Sequence, residues 1–423
     1  MANNKFSLFG FSIGRNKVDT NNAVQQSFTP PQNDDGALTI QSAAYYGTYV
    51  DLDGTAKNEV ELISRYREMA MQPEIESAID DIVNEAICQD DDGKIIKIIL
   101  DDLKQPERIK LAIKNEFETI TRLLNYNNMA QDIFRRYYVD GRMYYHIIID
   151  RENPLQGIKE LRYVDPRKLR KVREIKKRKD ERTGVEVMNV INEYYIFNDK
   201  GFNYGNKSVG PATAGLKIAK DTILHTTSGL TDTNGTMVLS YLHKGIKALN
   251  QLRTLEDALV IYRLARAPER RIWYIDVGNL PKMKAEQYVK DIMVKHKNRL
   301  IYDAASGEIR DDRKFMTMLE DYWLPRREGG RGTEVTTLPG GQTLGEMDDV
   351  LYFQKKLYQT LNVPVNRLNS DALFSLGRAT EVTRDEVKFA KFVQRLRNKF
   401  SRIFDDALKI QLALKGICSK EEW

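Results

Sequence analysis

Helix-like and strand-like hydropathy patterns occupy separate blocks of this chain. Apolar residues recur at helical spacing behind Pro73, from Ile75 to Ile87, and again from about Pro106 to Leu124. The next hundred residues instead contain short strand-like runs, at Glu160–Val164, Leu169–Ile175, Val187–Phe197 and Lys217–His225. Because the helices precede the strands rather than alternate with them, the pattern predicts an α+β fold with an antiparallel meander.

Two shorter patterns predict further strands in the first half of the chain. Asp140-Gly141 stands between Tyr137-Tyr138-Val139 and Met143–Ile149, which favours a β-hairpin. The isoleucine-rich segment Lys94–Leu100 follows the acidic cluster Asp90-Asp91-Asp92-Gly93, which is expected to end the preceding helix. We therefore predict a strand over Lys94–Leu100.

The second half of the chain is predominantly helical around a compact mixed insertion. Apolar residues in steps of three and four predict a helix over Leu239–Ala267 that Pro268 ends. The following elements are predicted to be a strand at Arg271–Ile275, a helix at Pro281–Lys297, a strand at Arg299–Asp303 and a helix at Leu344–Leu361.

The last predicted helix is unusually long. It begins at a capping box, Thr383 with Glu386 three residues later, and its apolar face continues to Lys415. At 1.5 Å per residue such a helix would span about 50 Å. That length suits an element that reaches across an assembly.

Composition narrows the classes of function. The chain has 66 Lys and Arg against 60 Asp and Glu, so any nucleic-acid contact must come from local clusters rather than from the overall charge. Two cysteines, Cys88 and Cys418, are too few for a disulfide framework or a zinc site. Residues 1–50 are rich in Asn, Gln, Ser, Thr and Gly and are predicted to form a flexible arm, with no secretory signal.

The sequence gives only weak indications of a catalytic site. A two-metal nuclease needs carboxylates that converge on ions about 4 Å apart, whereas Asp348 and Asp349 fall in the first turn of a predicted helix, where the helix dipole favours them without catalysis. The histidines stand alone, and Gly329-Gly330-Arg331-Gly332 lacks the spacing of a phosphate-binding loop. We predict no enzymatic activity and no cofactor, and keep a metal-dependent nucleic-acid-processing enzyme as the alternative.

The densest basic run lies between Arg167 and Lys179. Such a cluster can neutralise phosphates without reading sequence. Its basic residues are interspersed with Leu169, Val172 and Ile175, as a half-exposed strand requires, so we interpret the run as a solvated face.

Longer mixed motifs carry a resemblance to a known family. They include Tyr138-Val139-Asp140-Gly141-Arg142, Asp165-Pro166-Arg167, Arg266-Ala267-Pro268-Glu269-Arg270-Arg271, Glu320-Asp321-Tyr322-Trp323-Leu324, Thr337-Leu338-Pro339-Gly340 and Thr383-Arg384-Asp385-Glu386. Through these motifs, from about Val60 to Trp423, the chain resembles the portal vertex (head-to-tail connector) proteins of T-even-like tailed bacteriophages.

The resemblance implies a homo-dodecameric ring at one capsid vertex, with a channel for packaging and ejection of double-stranded DNA. It implies a role in nucleating the prohead, and partners that include the major capsid protein, scaffold, the terminase large subunit and neck and tail connector proteins. The expected location is the virion, after assembly in the host cytoplasm or at the inner face of the host membrane.

The resemblance also assigns regions of the chain to portal domains. These are a wing at 51–238, a stem helix at 239–267, a clip at 268–343, a second stem helix at 344–362, a channel loop at 363–382 and a long wing helix at 383–423. Family members usually continue into a helical crown, so we expect that domain to be absent or truncated here.

Candidate site residues follow from these assignments. Those for contact with DNA in the channel are Lys355, Lys356, Arg367 and Arg378, with Asp348, Asp349 and Asp371 offsetting their charge. Those for docking of the motor and neck on the clip are Lys282, Lys284, Lys290, Lys295, Arg326 and Arg327. A third hypothesis is a monomeric regulatory scaffold that binds its partner through the 268–343 insertion.

Overall fold

The computed structural model describes the greater part of the chain. The described residues are 6–8, 11–13, 35–41, 52–90, 93–179, 186–199, 201–202, 215–232, 237–266, 270–296, 300–302, 309–311, 322–326, 333–338, 347–367 and 379–418. The chain divides into two compact units, unit 1 at Met1–Lys244 with Leu361–Trp423, and unit 2 at Gly245–Thr360.

Helices and strands alternate in blocks along the chain. The helices are α1 (Leu52–Met69), α2 (Pro73–Ala86), α3 (Glu107–Leu123), α4 (Tyr126–Asp140), α5 (Ile246–Arg266), α6 (Lys282–His296), α7 (Asp348–Thr360), α8 (Ala379–Phe400) and α9 (Arg402–Leu414). The strands are β1 (Phe6–Leu8), β2 (Phe11–Ile13), β3 (Leu38–Gln41), β4 (Arg142–Ile149), β5 (Ile158–Val164), β6 (Leu169–Lys179), β7 (Glu186–Phe197), β8 (Leu216–Ala219), β9 (Ile223–Thr227), β10 (Arg270–Asp276), β11 (Leu300–Tyr302), β12 (Ile309–Asp311), β13 (Tyr322–Arg326) and β14 (Glu334–Leu338).

A shared apolar cluster joins the two larger sheets of unit 1. One sheet has the antiparallel order β5-β4-β9, and the other has the order β3-β6-β7-β8, in which β3 runs parallel to β6. Tyr144 and Ile223 from the first sheet pack with Leu169 and Tyr195 from the second. The predicted run Lys217–His225 is therefore two strands, β8 and β9, which belong to different sheets.

Aromatic rings from distant parts of the sequence form the helical part of the unit 1 core. Phe400 and Phe404, at the junction of α8 and α9, contact Tyr126 and Phe134 on α4 with ring centroids 4.8 to 6.3 Å apart. Phe404 also contacts Phe117 on α3. Burial of several large rings stabilises the association of α3, α4, α8 and α9 far more than local helix propensity does.

The predicted hairpin at Asp140-Gly141 is wrong. Tyr137 and Tyr138 lie in the last turn of α4, where both are fully buried, and Gly141 caps that helix with a φ of 69° before β4 begins. Glycine adopts this left-handed conformation without steric cost, so it ends helices as readily as it forms hairpin turns. Packing in the aromatic core overrides the β preference of the Tyr-Tyr-Val sequence.

Two other predicted elements differ from the structure. Lys94–Leu100 is not a strand, since it has no paired neighbour among the described residues. The long final helix is instead two helices, α8 and α9, which meet at Ser401. There the Ser401 Oγ donates to the carbonyl of Asn398, and the Ser401 carbonyl accepts from the amides of both Phe404 and Asp405. Since α8 already begins at Ala379, the Thr383 capping box lies inside the helix rather than at its start.

The N-terminal region includes ordered elements that the flexible-arm prediction did not anticipate. β1 and β2 pair as an antiparallel hairpin, and β3 adds to the second sheet of unit 1 beside β6. Ala37, just before β3, is buried. Residues 35–41 are therefore part of the fold, and the other predicted arm residues before 52 lie outside the described ranges apart from β1 and β2.

Unit 2 combines a helix pair with a small α/β element. Helices α5 and α7 pack against each other. They begin later than predicted, at Ile246 and Asp348, and α5 is preceded by a short 3₁₀ helix. In the α/β element, the sheet β13-β10-β14 is covered on one face by α6, where Ala285 and Val289 pack on Ile275. The indole rings of Trp273 and Trp323 stack on this same face, 5.1 Å apart.

Candidate functional site

Asp140 is a buried carboxylate held by a single arginine. Arg67 on α1 donates to it from Nε and Nη2 at 2.9 and 2.8 Å, and Arg67 also binds Asp165. Burial raises the pKa of Asp140, and its hydrogen bonds raise the pKa of Arg67. Burial would raise the pKa of Asp165 too, but hydrogen bonds from Arg167, together with the charge and hydrogen bonds of Arg67, lower it to about 2. These ion pairs join α1, α4 and the loop after β5.

Arg142, two residues further along the same motif, is also buried. Arg142 and Arg170 both form ion pairs with Glu59 of α1, and Arg142 donates to the carbonyl of Val238. The guanidinium of Arg170 lies 5.4 Å from the ring of Phe202. Burial lowers the pKa of Arg142, and the charge of Arg170 beside it acts in the same direction.

The interpretation of the Arg167–Lys179 run as a solvated face is wrong for its centre. Lys171 and Arg173 are 8% and 7% exposed, and both bind Asp35, the residue that leads into β3. Glu193 on β7 accepts from Arg173 at 2.6 Å and pairs with Lys220. The strand is covered on both faces because its neighbours supply carboxylates for the cations and apolar groups for Leu169 and Val172.

A cavity of about 760 Å³ opens beside this cluster of charges. Its lining includes Asp35, Lys171, His225, Asp405 and Asp406. The Nε2 atom of His225 is shielded from solvent and has no hydrogen-bond partner in the described part of the chain, and burial together with the charge of Lys171 lowers its pKa to about 3. Burial raises the pKa values of Asp405 and Asp406. The lining contains cationic side chains and carboxylates in equal numbers, so its charge favours neither an anionic nor a cationic ligand.

The predicted channel residues Lys355 and Lys356 lie on the exposed face of α7. Both are exposed, whereas Leu357 and Tyr358 on the same helix are buried. Within the described residues neither lysine makes an ion pair, and the Nζ atom of Lys356 lies over the rings of Tyr352 and Phe353. Asp348 and Asp349 occupy the first turn of α7, as predicted.

The structure gives Arg367 a different environment. Glu386 binds its guanidinium through two hydrogen bonds of 3.0 and 2.8 Å, and Asp81 and Glu85 lie 3.9 Å from it. The guanidinium also stacks over Phe389, 4.5 Å from the ring centroid. The Glu386 hydrogen bonds raise the pKa of Arg367. Its charge is therefore compensated within unit 1, while Arg378 and Asp371 lie outside the described residues.

The predicted clip residues are distributed over two elements of unit 2. Lys282, Lys284 and Lys290 are exposed on α6, and Lys295 lies near the end of that helix. Arg326 on β13 pairs with Glu334 at 3.0 Å and lies over the ring of Tyr274, 5.6 Å from its centroid. Arg327 lies outside the described residues.

No metal-binding group emerges from the described part of the chain, where no three His, Cys, Asp or Glu side chains converge. In the same residues, no helix combines the length and apolar character that a bilayer crossing requires.

Comparison with known proteins decides the family. A family model described as Bacteriophage T4-like portal protein (Gp20) matches residues 59–423. The chain belongs to the T4-like portal protein family. The match spans both units and all of the motifs on which the resemblance was based.

Curated portal proteins agree with this membership. The portal protein of Vibrio phage KVP40 is 43% identical over 412 residues, covering 94% of this chain and 80% of that protein. The portal protein of Salmonella phage ViI is 35% identical over 439 residues, covering 99% and 78%. Both are named as portal proteins, and neither name denotes an enzyme.

Among solved structures, the chain is similar to one from the neck of a native GTA particle computed with C12 symmetry. The TM-score is 0.42 at 14% sequence identity, and the match covers 81% of this chain and 78% of that one.

The structure gives the residues of the Tyr138–Arg142 motif buried structural roles. Its tyrosine is a core residue, Asp140 and Arg142 are buried in ion pairs, and a Cβ atom at Gly141 would approach the backbone of Leu239 and Ser240 to 2.7 Å. Sequence reasoning identified the motif but not the buried charges. Their partners Arg67 and Glu59 lie far away in the sequence, and no local signal links them.

Proposed function

We propose that this portal protein assembles into a closed ring of twelve subunits around a channel for double-stranded DNA. The observation that carries the proposal is the T4-like portal family match over residues 59–423. Identical subunits that contact head to tail close into a ring when the rotation between neighbours closes. The ring would form part of the virion at one capsid vertex, where DNA enters during packaging and leaves during ejection.

The arrangement of α7 supports a role in lining the channel. DNA must slide, so its wall should offer weak contacts that do not read sequence. Lys355 and Lys356 are exposed cations without an ion-pair partner in the described residues, on the same helix as the carboxylates Asp348 and Asp349. Because Arg367 is bound to Glu386, we expect it to contribute less to DNA contact than the two lysines.

The domain assignments complete the proposal. Residues 51–238 and 383–423 would form the wing, 239–267 and 344–362 the stem, 268–343 the clip and 363–382 the channel loop. The exposed lysines of α6 suit docking of the terminase large subunit and later of neck and tail proteins on the clip. The wing would contact the major capsid protein and scaffold as the prohead is nucleated. ATP hydrolysis would belong to the separate packaging motor.

Native mass spectrometry and negative-stain images of one purified sample test the ring. We expect twelve-subunit particles with a central hole. Protein that stays monomeric at every concentration and salt tested would contradict the proposal. A protein that binds partners only as a monomer, and loses that binding when residues 268–343 are deleted, would favour the regulatory scaffold instead.

A further inference from the structure

Cationic side chains form a stripe along one face of α8. They recur in steps of four, three and four residues, which at 3.6 residues per turn keeps them within about 60° of the helix circumference. The stripe extends for about 16 Å along the helix axis. Its members, all exposed and called here the α8 stripe, are Arg384, Lys388, Lys391 and Arg395.

Neither packing nor the helix dipole accounts for the α8 stripe. The helix buries Phe389, Val393 and Leu396 on the face that packs in the core of unit 1, and the stripe lies outside that face. The dipole favours cations in the last turn of a helix, whereas Arg384 and Lys388 lie in the first half of α8. A solvated face alone would also be expected to mix both signs of charge.

Few carboxylates offset the charge of the stripe. Asp385 pairs with Lys388 at 3.0 Å, and the other cations of the stripe make no ion pair with a described residue. Between Glu386 and Asp405 the sequence contains no acidic residue. The stripe therefore presents to a ligand positive charges that no described carboxylate pairs.

The residues beside the stripe favour a phosphate backbone as its ligand. On one side of the stripe the exposed residues are uncharged, and they are Val387, Ala390, Gln394 and Asn398. Asparagine and glutamine amides are, with lysine and arginine, among the groups that bind the phosphate oxygens of DNA. Gln394 donates to the Oδ1 atom of Asn398 at 3.1 Å, which leaves the amide N–H groups of Asn398 for an acceptor outside the described residues.

Other polyanions fit this surface less well. Protein interfaces place large apolar or aromatic anchors at their centre, and between Arg384 and Asn398 the only exposed apolar side chain larger than alanine is Val387. A helix on an anionic membrane inserts its apolar face into the lipid, whereas α8 buries that face in the core. Single-stranded nucleic acid stacks its bases on aromatic side chains, and none is exposed in this range. Duplex DNA remains as the polyanion that fits.

We propose that the α8 stripe binds the phosphate backbone of duplex DNA without reading sequence, as a contact surface separate from the stem lysines Lys355 and Lys356. A stripe of about 16 Å can face about five phosphates of one strand, at 3.4 Å of duplex axis each. The stripe belongs to unit 1 and the stem lysines to unit 2, so the two contacts are independent. The inference rests on the proposed function in one respect, that duplex DNA passes the protein.

Lysine acetylation footprinting of the full-length protein tests the contact directly. The probe is a short duplex of arbitrary sequence, and mass spectrometry measures how fast each lysine reacts with an acetylating reagent. Saturating duplex at about 50 mM salt should slow acetylation of Lys388 and Lys391 at least about fivefold, because a phosphate would hold each ammonium group. Lys114, exposed on α3, should react equally with and without the duplex.

Two double variants with the same change of charge measure the contribution of the stripe. Both are made in protein whose two stem lysines are replaced by glutamine, so that the proposed stem contact does not contribute. Lys391→Gln with Arg395→Gln removes two exposed cations, so the protein should stay folded and bind labelled duplex at least about tenfold more weakly at about 0.1 M salt. The control, Lys114→Gln with Arg122→Gln, removes one exposed lysine and one exposed arginine from α3 and should bind as the parent does.

Equal acetylation of Lys388 and Lys391 with and without duplex would overturn the proposal, as would equal binding of duplex by the two double variants. Polyglutamate that protects both lysines as well as duplex does, at equal concentration of charge, would assign the stripe to an acidic protein instead. Single-stranded DNA bound as tightly as duplex would also contradict it. Absence of rings would count against the proposed function but not against this contact, because the acetylation of Lys388 and Lys391 reports on α8 alone.

Discussion

The guanidinium of Arg67 binds the carboxylate of Asp140 side-on, with Nε on Oδ1 and Nη2 on Oδ2. Asp140→Asn keeps the shape of the side chain but removes its charge and one acceptor. Since the aspartate is 2% exposed and Arg67 keeps a second partner in Asp165, we expect a loss of about 2–3 kcal/mol in the free energy of unfolding. Urea denaturation at fixed protein concentration measures it. Asp199→Asn, which breaks the exposed pair with Lys168, should change the midpoint little, and equal effects of the two changes would refute the account.

Gly141→Ala should be far more disruptive than the same change at Gly416. The φ angles of the two glycines are 69° and 68°, so in both replacements a left-handed alanine costs roughly 1 kcal/mol. At Gly141 the new Cβ would also meet the backbone of Leu239 and Ser240 at 2.7 Å, whereas at Gly416 nothing lies within 4 Å. We expect a total cost of about 3 kcal/mol or more at Gly141. Thermal denaturation of both variants checks the difference, and a similar midpoint for the two would show that the contact relaxes freely.

Acid should destabilise the protein in part through His225. Its pKa falls from 6.5 to about 3 on folding, so the unfolded chain binds more protons between those values. The free energy of unfolding should therefore decrease as the pH drops below 6.5, by up to about 1.4 kcal/mol per unit from this group. His225→Phe retains a ring for the stacking with Tyr144 and cannot titrate. Urea titrations at about pH 7, 6 and 5 should give a shallower pH dependence for this variant, and parallel curves would exclude the assignment.

Lys355→Gln and Lys356→Gln test the proposed contact with DNA. Each replacement changes twelve lysines in a ring of twelve subunits, so the slope of log affinity against log salt should fall by about 0.9 for every one of those lysines that neutralises a phosphate. Binding of duplex DNA to assembled rings, measured by anisotropy between about 50 and 200 mM salt, gives that slope. Lys282→Gln, an exposed lysine of the proposed clip, serves as the control. An unchanged slope in both stem variants would mean that these lysines do not touch DNA.

Regular periodicity predicted many of the elements. Helices α2, α3 and α6 and the strands β6 and β7 form where the apolar spacing placed them. Helix α4 was missed because its Tyr137-Tyr138-Val139 sequence favours strands locally. The ring of Phe400, which comes from a helix near the other end of the chain, packs on Phe134 and Tyr137 of α4, and this contact favours the helix.

The environments of the candidate site residues could likewise be predicted only in part from the sequence. Lys355 and Lys356 could be placed on an exposed helix face from sequence, since their neighbours are apolar at helical spacing. The burial of Lys171 could not, because it depends on Asp35 in a segment whose composition resembles a flexible arm. An ion pair between distant residues leaves no periodic trace in either segment.

The contacts of Gln411 on α9 join segments of the chain that leave the ribosome at very different times. The side-chain amide of Gln411 accepts from the backbone of Ile158 and donates to Glu116, and Gly157 lies against it. At about 5–20 residues per second, many seconds of translation separate Ile158 from Gln411. The nascent chain therefore carries the aromatic surface of α3 and α4 uncovered until its last helices emerge, which makes this interval the one in which chaperones have most to protect.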